Sequence, residues 1–151
     1  MVIRTSFAVA LVLSLVFAAS ALGAATRAEY IAQVDPICKR VNDKTAPLNK
    51  AAVGAIKKGK FRKAGSKVAA ANRIFRPSIA QVAAVPPPAA DQSLISSWLD
   101  LIRHVADLND QLASALKHEN LKAVKKVSKK GTRTFKQING LVGTYGFQQC
   151  N

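Results

Sequence analysis

From residue 27 onward the apolar positions of the chain recur at intervals of three and four, and no stretch alternates in the manner of a half-buried strand. Thr26 and Glu29 stand three apart, the spacing of a capping box, and Tyr30, Val34, Ile37, Val41, Thr45 and Leu48 follow on one helical face. This predicts a first helix over 27–53. Pro36 and Pro47 fall inside it, and each must kink the helix or begin a new segment, Asp35 being the available cap at the first. The glycines at 54 and 59 predict the first turn. A second helix over 60–84 carries Phe61, Ala64, Val68, Ala71, Phe75, Ile79 and Val82 on one face, with a kink expected at Pro77. Pro86, Pro87 and Pro88 form a stiff extended connector.

The third helix, over 91–117 and capped by Asp91 or Ser93, has the cleanest stripe: Leu94, Trp98, Leu101, Val105, Leu108, Leu112 and Ala115. The fourth, over 120–145, aligns Leu121, Val124, Gly131, Phe135, Ile138 and Val142, and Gly146 is expected to close it. Its opposite face carries Lys122, Lys126, Lys129, Arg133 and Lys136, about 180° away at 100° per residue. Four amphipathic helices on short connections predict an all-α fold, an antiparallel up-down-up-down four-helix bundle spanning 26–151.

The first 25 residues read differently. Arg4 precedes an uncharged Ala/Val/Leu run from Phe7 to Leu22, and small residues follow through Ala25, the layout of a secretory signal peptide cleaved after 21, 23 or 25. The alternative is an uncleaved anchor, since the run approaches the ~18–20 residues that span a bilayer. Export changes how Cys38 and Cys150 are read: outside the cytosol an even pair is most simply one disulfide. In the up-down-up-down topology the first helix begins, and the fourth ends, at one end of the bundle. The pairing and the topology therefore support each other.

With Tyr30…Cys38 at the start and Tyr145-Gly146-Phe147-Gln148-Gln149-Cys150 at the finish, the mature chain resembles a group of uncharacterised exported bacterial helical proteins with a paired cysteine near each end. It differs from that pattern in carrying Pro36 before the first cysteine. The resemblance implies the helical, disulfide-closed framework; it brings no activity and no site residues.

Charge sharpens this picture. The formal net charge is +15, of which Arg4 contributes one. No acid occurs between residues 44 and 90, where ten basic residues lie, and none after residue 119, where seven lie. The bundle places the first turn, with Lys57, Lys58, Lys60, Arg62 and Lys63, at the same end as Lys122, Lys125 and Lys126 after the third turn. These eight residues form the candidate anion-binding site, a basic cap at the end away from the disulfide. Outside a cell such a cap faces anionic envelope polymers or a membrane surface. A solvated surface serving only solubility is the competing reading. Nucleic acid is disfavoured, because Phe61 and Phe135 fall on core stripes instead of interleaving with the lysines.

Catalytic and cofactor chemistry finds no footing. There is no Cys-x-x-Cys-His for haem, no Glu-x-x-His pair for a di-metal site and no phosphate-binding loop, so no cofactor, no metal site and no enzyme activity is expected. His104 lies one turn from both Asp100 and Asp107, which surface charge pairing explains better than a metal. Two further binding modes remain as alternatives: a protein partner docked through Pro86–Pro88 and the acidic side of the third helix, or a small ligand carried between helices near Ala69, Ala70 and Ala71.

Overall fold

A computed structural model describes residues 26–150; the expected signal peptide over 1–25 lies outside the described residues. The described chain is helical: α1 (Arg27–Lys57), α2 (Phe61–Ala83), a short 3₁₀ turn (Ala89–Asp91), α3 (Gln92–Lys117) and α4 (Leu121–Val142). The capping box opens α1, with Thr26 Oγ1 accepting from the Glu29 N–H at 3.2 Å and Glu29 Oε2 accepting from the Thr26 N–H at 2.7 Å. Pro36, Pro47 and Pro77 lie inside α1 and α2 without ending them. Each removes one backbone N–H, a loss that the buried neighbours Ile37, Thr45 and Ser78 help to offset by packing.

The first helix runs past its expected end at 53, since Gly54 stays helical. It stops in a Schellman turn: the Lys60 N–H bonds the Ala55 carbonyl at 2.8 Å, the Gly59 N–H bonds that of Ile56 at 2.9 Å, and Gly59 takes φ +66°. The same device ends α3, where the Asn120 N–H reaches the Ala115 carbonyl at 2.9 Å and Glu119 holds φ +54°.

Close packing joins α1 to α2, α2 to α3, and α3 to α4. Orientation follows from contacts at the ends. Near the start of α2, a side chain at Gly65 would meet the Ala113 carbonyl at 2.6 Å, near the end of α3. Arg27, which opens α1, bonds Asp91 ahead of α3, and Asp91 also accepts from the Tyr145 hydroxyl after α4. The helices therefore run up, down, up and down, as the sequence predicts. Cys38 and Cys150 are bonded, with Cα atoms 5.3 Å apart across 112 positions. Such a bond belongs to an oxidising, non-cytoplasmic environment.

Four local expectations change. The fourth helix ends at Val142 and not at 145, and residues 143–150 form a tail laid against α1. Asp35 fixes that tail by accepting from the Gln148 and Gln149 N–H groups at 2.9 and 3.1 Å, and so serves the tail and not a helix start at Pro36. Asp91 makes no side-chain cap on α3, because its carboxylate is taken by Arg27, at 3.0 and 2.7 Å, and by Tyr145 at 2.9 Å. Phe135, expected in the core, is 54% exposed. The physical reason is that α1 and α4 lack the close packing that joins the other neighbours, so this face of α4 has no helix over it.

The main core centres on four aromatic rings at the disulfide end: Trp98 stacks on Phe147 at 5.0 Å, Phe147 on Tyr145 at 4.8 Å, and Tyr30 meets Tyr145 edge-on at 6.3 Å. A smaller cluster of Ala55, Ala64 and Leu116, with Phe61 and Val124 against it, closes the other end.

Burial raises the Tyr30 hydroxyl from 10.0 to about 12, and it raises Tyr145 to about 12 with help from its bond to Asp91. The folded state thus keeps both protons where the unfolded chain would lose them. This contribution is intact below pH 10.0 and is lost as the pH climbs towards about 12, on the order of 1.4 kcal/mol per tyrosine per pH unit. Asp91 acts at the other extreme: Arg27 first, then Tyr145, hold its carboxyl below 3.8, so its contribution is present above that value and disappears in stronger acid. The Tyr30 hydroxyl is also buried without a hydrogen-bond partner. Tyr30→Phe is therefore expected to raise stability at neutral pH by about 1 kcal/mol and to soften the alkaline loss, both read from urea midpoints between pH 7 and 11.

Candidate functional site

The eight residues of the expected basic cap lie around the α1–α2 and α3–α4 turns. Lys57 and Lys58 end α1, Lys60, Arg62 and Lys63 open α2, and Lys122, Lys125 and Lys126 occupy the first turns of α4; all eight side chains are exposed. Arg62 ties the two turns together through an ion pair with Glu119 at 3.1 Å. Among the described residues it is the one member of the eight with an acidic partner; the seven lysines have none. The positive ends of the α2 and α4 dipoles meet the negative ends of α1 and α3 here, so the field of the cap comes chiefly from its side chains. An open groove between α3 and α4, lined by His118, Lys126 and Lys130, continues the basic surface down one flank.

Sequence reasoning missed one property of this end. Four large hydrophobic residues stand exposed among the described residues, and three of them, Val53 (53%), Ile56 (40%) and Leu121 (54%), are here. The fourth is Phe135. Val53 is the last residue of the expected first helix, Ile56 falls where α1 continues beyond it, and Leu121, expected on the core stripe, opens α4 and is left uncovered. Lysines and apolar side chains thus alternate over the same turns.

The acidic side of α3 is largely neutralised within the fold. Arg76 of α2 bridges Asp107 at 2.9 Å and Asp110 at 2.6 Å, and Arg103 bonds Asp100 at 2.7 Å. Asn72, buried, donates to the Ala106 carbonyl at 2.9 Å and to Asp110 at 2.6 Å, which sets the α2–α3 register. His104 is exposed, and no group of three metal-ligating side chains comes together among the described residues.

A second concave feature lies in the seam where α1 and α4 stand apart. All four helices and the tail line a cleft of about 540 Å³, with Ile79, Val82, Leu99, Val105 and Ile138 on its apolar walls. The Cys38–Cys150 bond and Gln149 close one end, the tail being held there by the Asn42 side-chain amide on the Gln149 carbonyl at 2.8 Å. Of the alanines at 69–71, Ala71 lines the cleft.

Compared with known families, with curated proteins and with solved structures, the chain finds no match, so cap and cleft are read from their own geometry.

Proposed function

We propose that this is an exported, non-catalytic bundle that binds anionic membrane surfaces through its basic cap. Export rests on the leader pattern at residues 1–25 and on the disulfide. The observation that carries the reading is the exposure of Val53, Ile56 and Leu121 among Lys57, Lys58, Lys60, Lys122 and Lys125. A hydrated polyanion would attract the lysines and give the apolar side chains nothing. The interface of a bilayer rewards both, at about 1 kcal/mol for each lysine near an anionic surface and roughly 25 cal/mol for each Å² of apolar surface buried. No helix among the described residues is long and apolar enough to cross a membrane, so contact is peripheral on this reading.

Docking of a protein through the acidic side of α3 has less support, because Arg76 and Arg103 already answer those carboxylates. The direct test is co-sedimentation with vesicles. Phosphatidylglycerol vesicles are expected to retain the protein, neutral phosphatidylcholine vesicles are not, and retention should fall between 50 and 300 mM salt, over which the screening length shrinks from about 14 to 6 Å. Equal retention on both lipids would refute the proposal.

A further inference from the structure

We propose that the cleft between α1 and α4 is a binding site for an uncharged, largely apolar molecule that carries a hydrogen-bond acceptor. It shares no residue with the cap and is independent of the membrane reading. Three observations define the ligand. The volume, about 540 Å³, falls in the range of small-molecule sites, about 300–1,000 Å³. None of the lining residues is charged, so an ionic ligand would be desolvated against neutral walls with no counter-charge to meet it. The side-chain amides of Asn49 and Asn139 among the lining residues give donors for an acceptor oxygen on the ligand.

The mouth fits the same class. Phe135 stands 54% exposed beside it, an aromatic side chain positioned to cover an apolar occupant. Asn42, Asn49, Asn109 and Asn139 supply neutral amides among the lining residues, suited to a polar but uncharged end group. A long-chain alcohol or an acyl ester meets all of these requirements, with its chain against Ile79, Val105 and Ile138 and its oxygen towards the Asn49 and Asn139 amides.

The test uses the disulfide-intact protein and a twelve-carbon series below micellar concentration: dodecanol, dodecane, dodecanoate and dodecylammonium. Trp98 is the chain's one tryptophan, so its emission reports occupancy directly, and calorimetry gives the affinity. Dodecanol is expected to bind one-to-one and about tenfold or more tighter than the hydrocarbon or either ion. Ala71→Phe, which fills the cleft, should abolish binding. Phe135→Ala, at an exposed position that folding tolerates, should weaken it several-fold. Asn139→Leu, followed by calorimetry, should cost dodecanol several-fold and leave dodecane unchanged. Lys57, Lys58 and Lys60 changed to glutamate must leave dodecanol binding intact, which separates a failure of this site from a failure of the cap. Absence of saturable binding, ions that bind as tightly as the alcohol, or full binding by both Ala71→Phe and Phe135→Ala would overturn the proposal.

Discussion

Changing Lys57, Lys58 and Lys60 to glutamate is expected to lower affinity for phosphatidylglycerol vesicles by a hundredfold or more. Each lysine near an anionic surface contributes about 1 kcal/mol, so loss of three removes about 3 kcal/mol, and the three new negative charges add repulsion. All three side chains are exposed and none has an acidic partner among the described residues, so the fold should not respond. Helical circular dichroism and the urea midpoint are expected to stay at their wild-type values, which makes the binding loss attributable to the cap. The same exchange at Lys39, Arg40 and Lys44 on the outer side of α1, outside the cap, should cost several-fold at most. Similar losses from both sets would mean that net charge alone drives association, and that the solubility reading of the basic surface is sufficient.

The second large effect concerns the scaffold. Replacing Cys38 and Cys150 with alanine is expected to lower stability by about 4 kcal/mol, a fall in melting temperature on the order of 10–20 °C. The bond joins residues 112 apart, so its loss frees a long loop in the unfolded chain. It also removes a covalent hold on a tail that places two of the four core rings, Tyr145 and Phe147. The remaining ties are the Asp35 carboxylate on two backbone N–H groups, the Asn42 amide and the Arg27–Asp91–Tyr145 cluster. Denaturant midpoints of the oxidised and alanine forms measure the difference. A loss below 1 kcal/mol would show that these ties and the aromatic packing hold the tail without the bond.

Much of this architecture is legible from spacing alone. Steps of three and four mark which side of each helix is apolar, and the cysteine pair agrees with an up-down-up-down chain because both features bring the two ends together. The prolines leave the helices unbroken for a definite reason: the rule for proline concerns one lost N–H and one crowded carbonyl, whereas α1 is held by buried Tyr30, Val34 and Ile37 on the near side of Pro36 and across it. Periodicity is silent on whether an apolar face has a neighbour. Phe135 and Ile138 lie on one stripe, yet Ile138 is 3% exposed and Phe135 is 54% exposed, because α1 does not close over α4 at that seam. The cleft follows from that same open seam and could not be read from the stripe. Asp91 shows a different limit. Its position before α3 fits a cap, but its partners Arg27 and Tyr145 are 64 and 54 residues away, and the tertiary bonds win over the local one. The lysines of the cap needed only the topology to be grouped; of the apolar residues among them, Ile56 needed the true end of α1, and Val53 and Leu121 needed the packing around the turns.

Those apolar residues separate membrane binding from attraction to any polyanion, and a single tryptophan can test them. In a Trp98→Phe background, Leu121→Trp places the reporter at the cap, and Gln92→Trp places it at the opposite end of the bundle. With phosphatidylglycerol vesicles, emission from position 121 is expected to move to the blue and gain intensity, while emission from position 92 stays as it is in buffer. An unshifted spectrum at position 121 under conditions where the protein sediments with the vesicles would contradict the account.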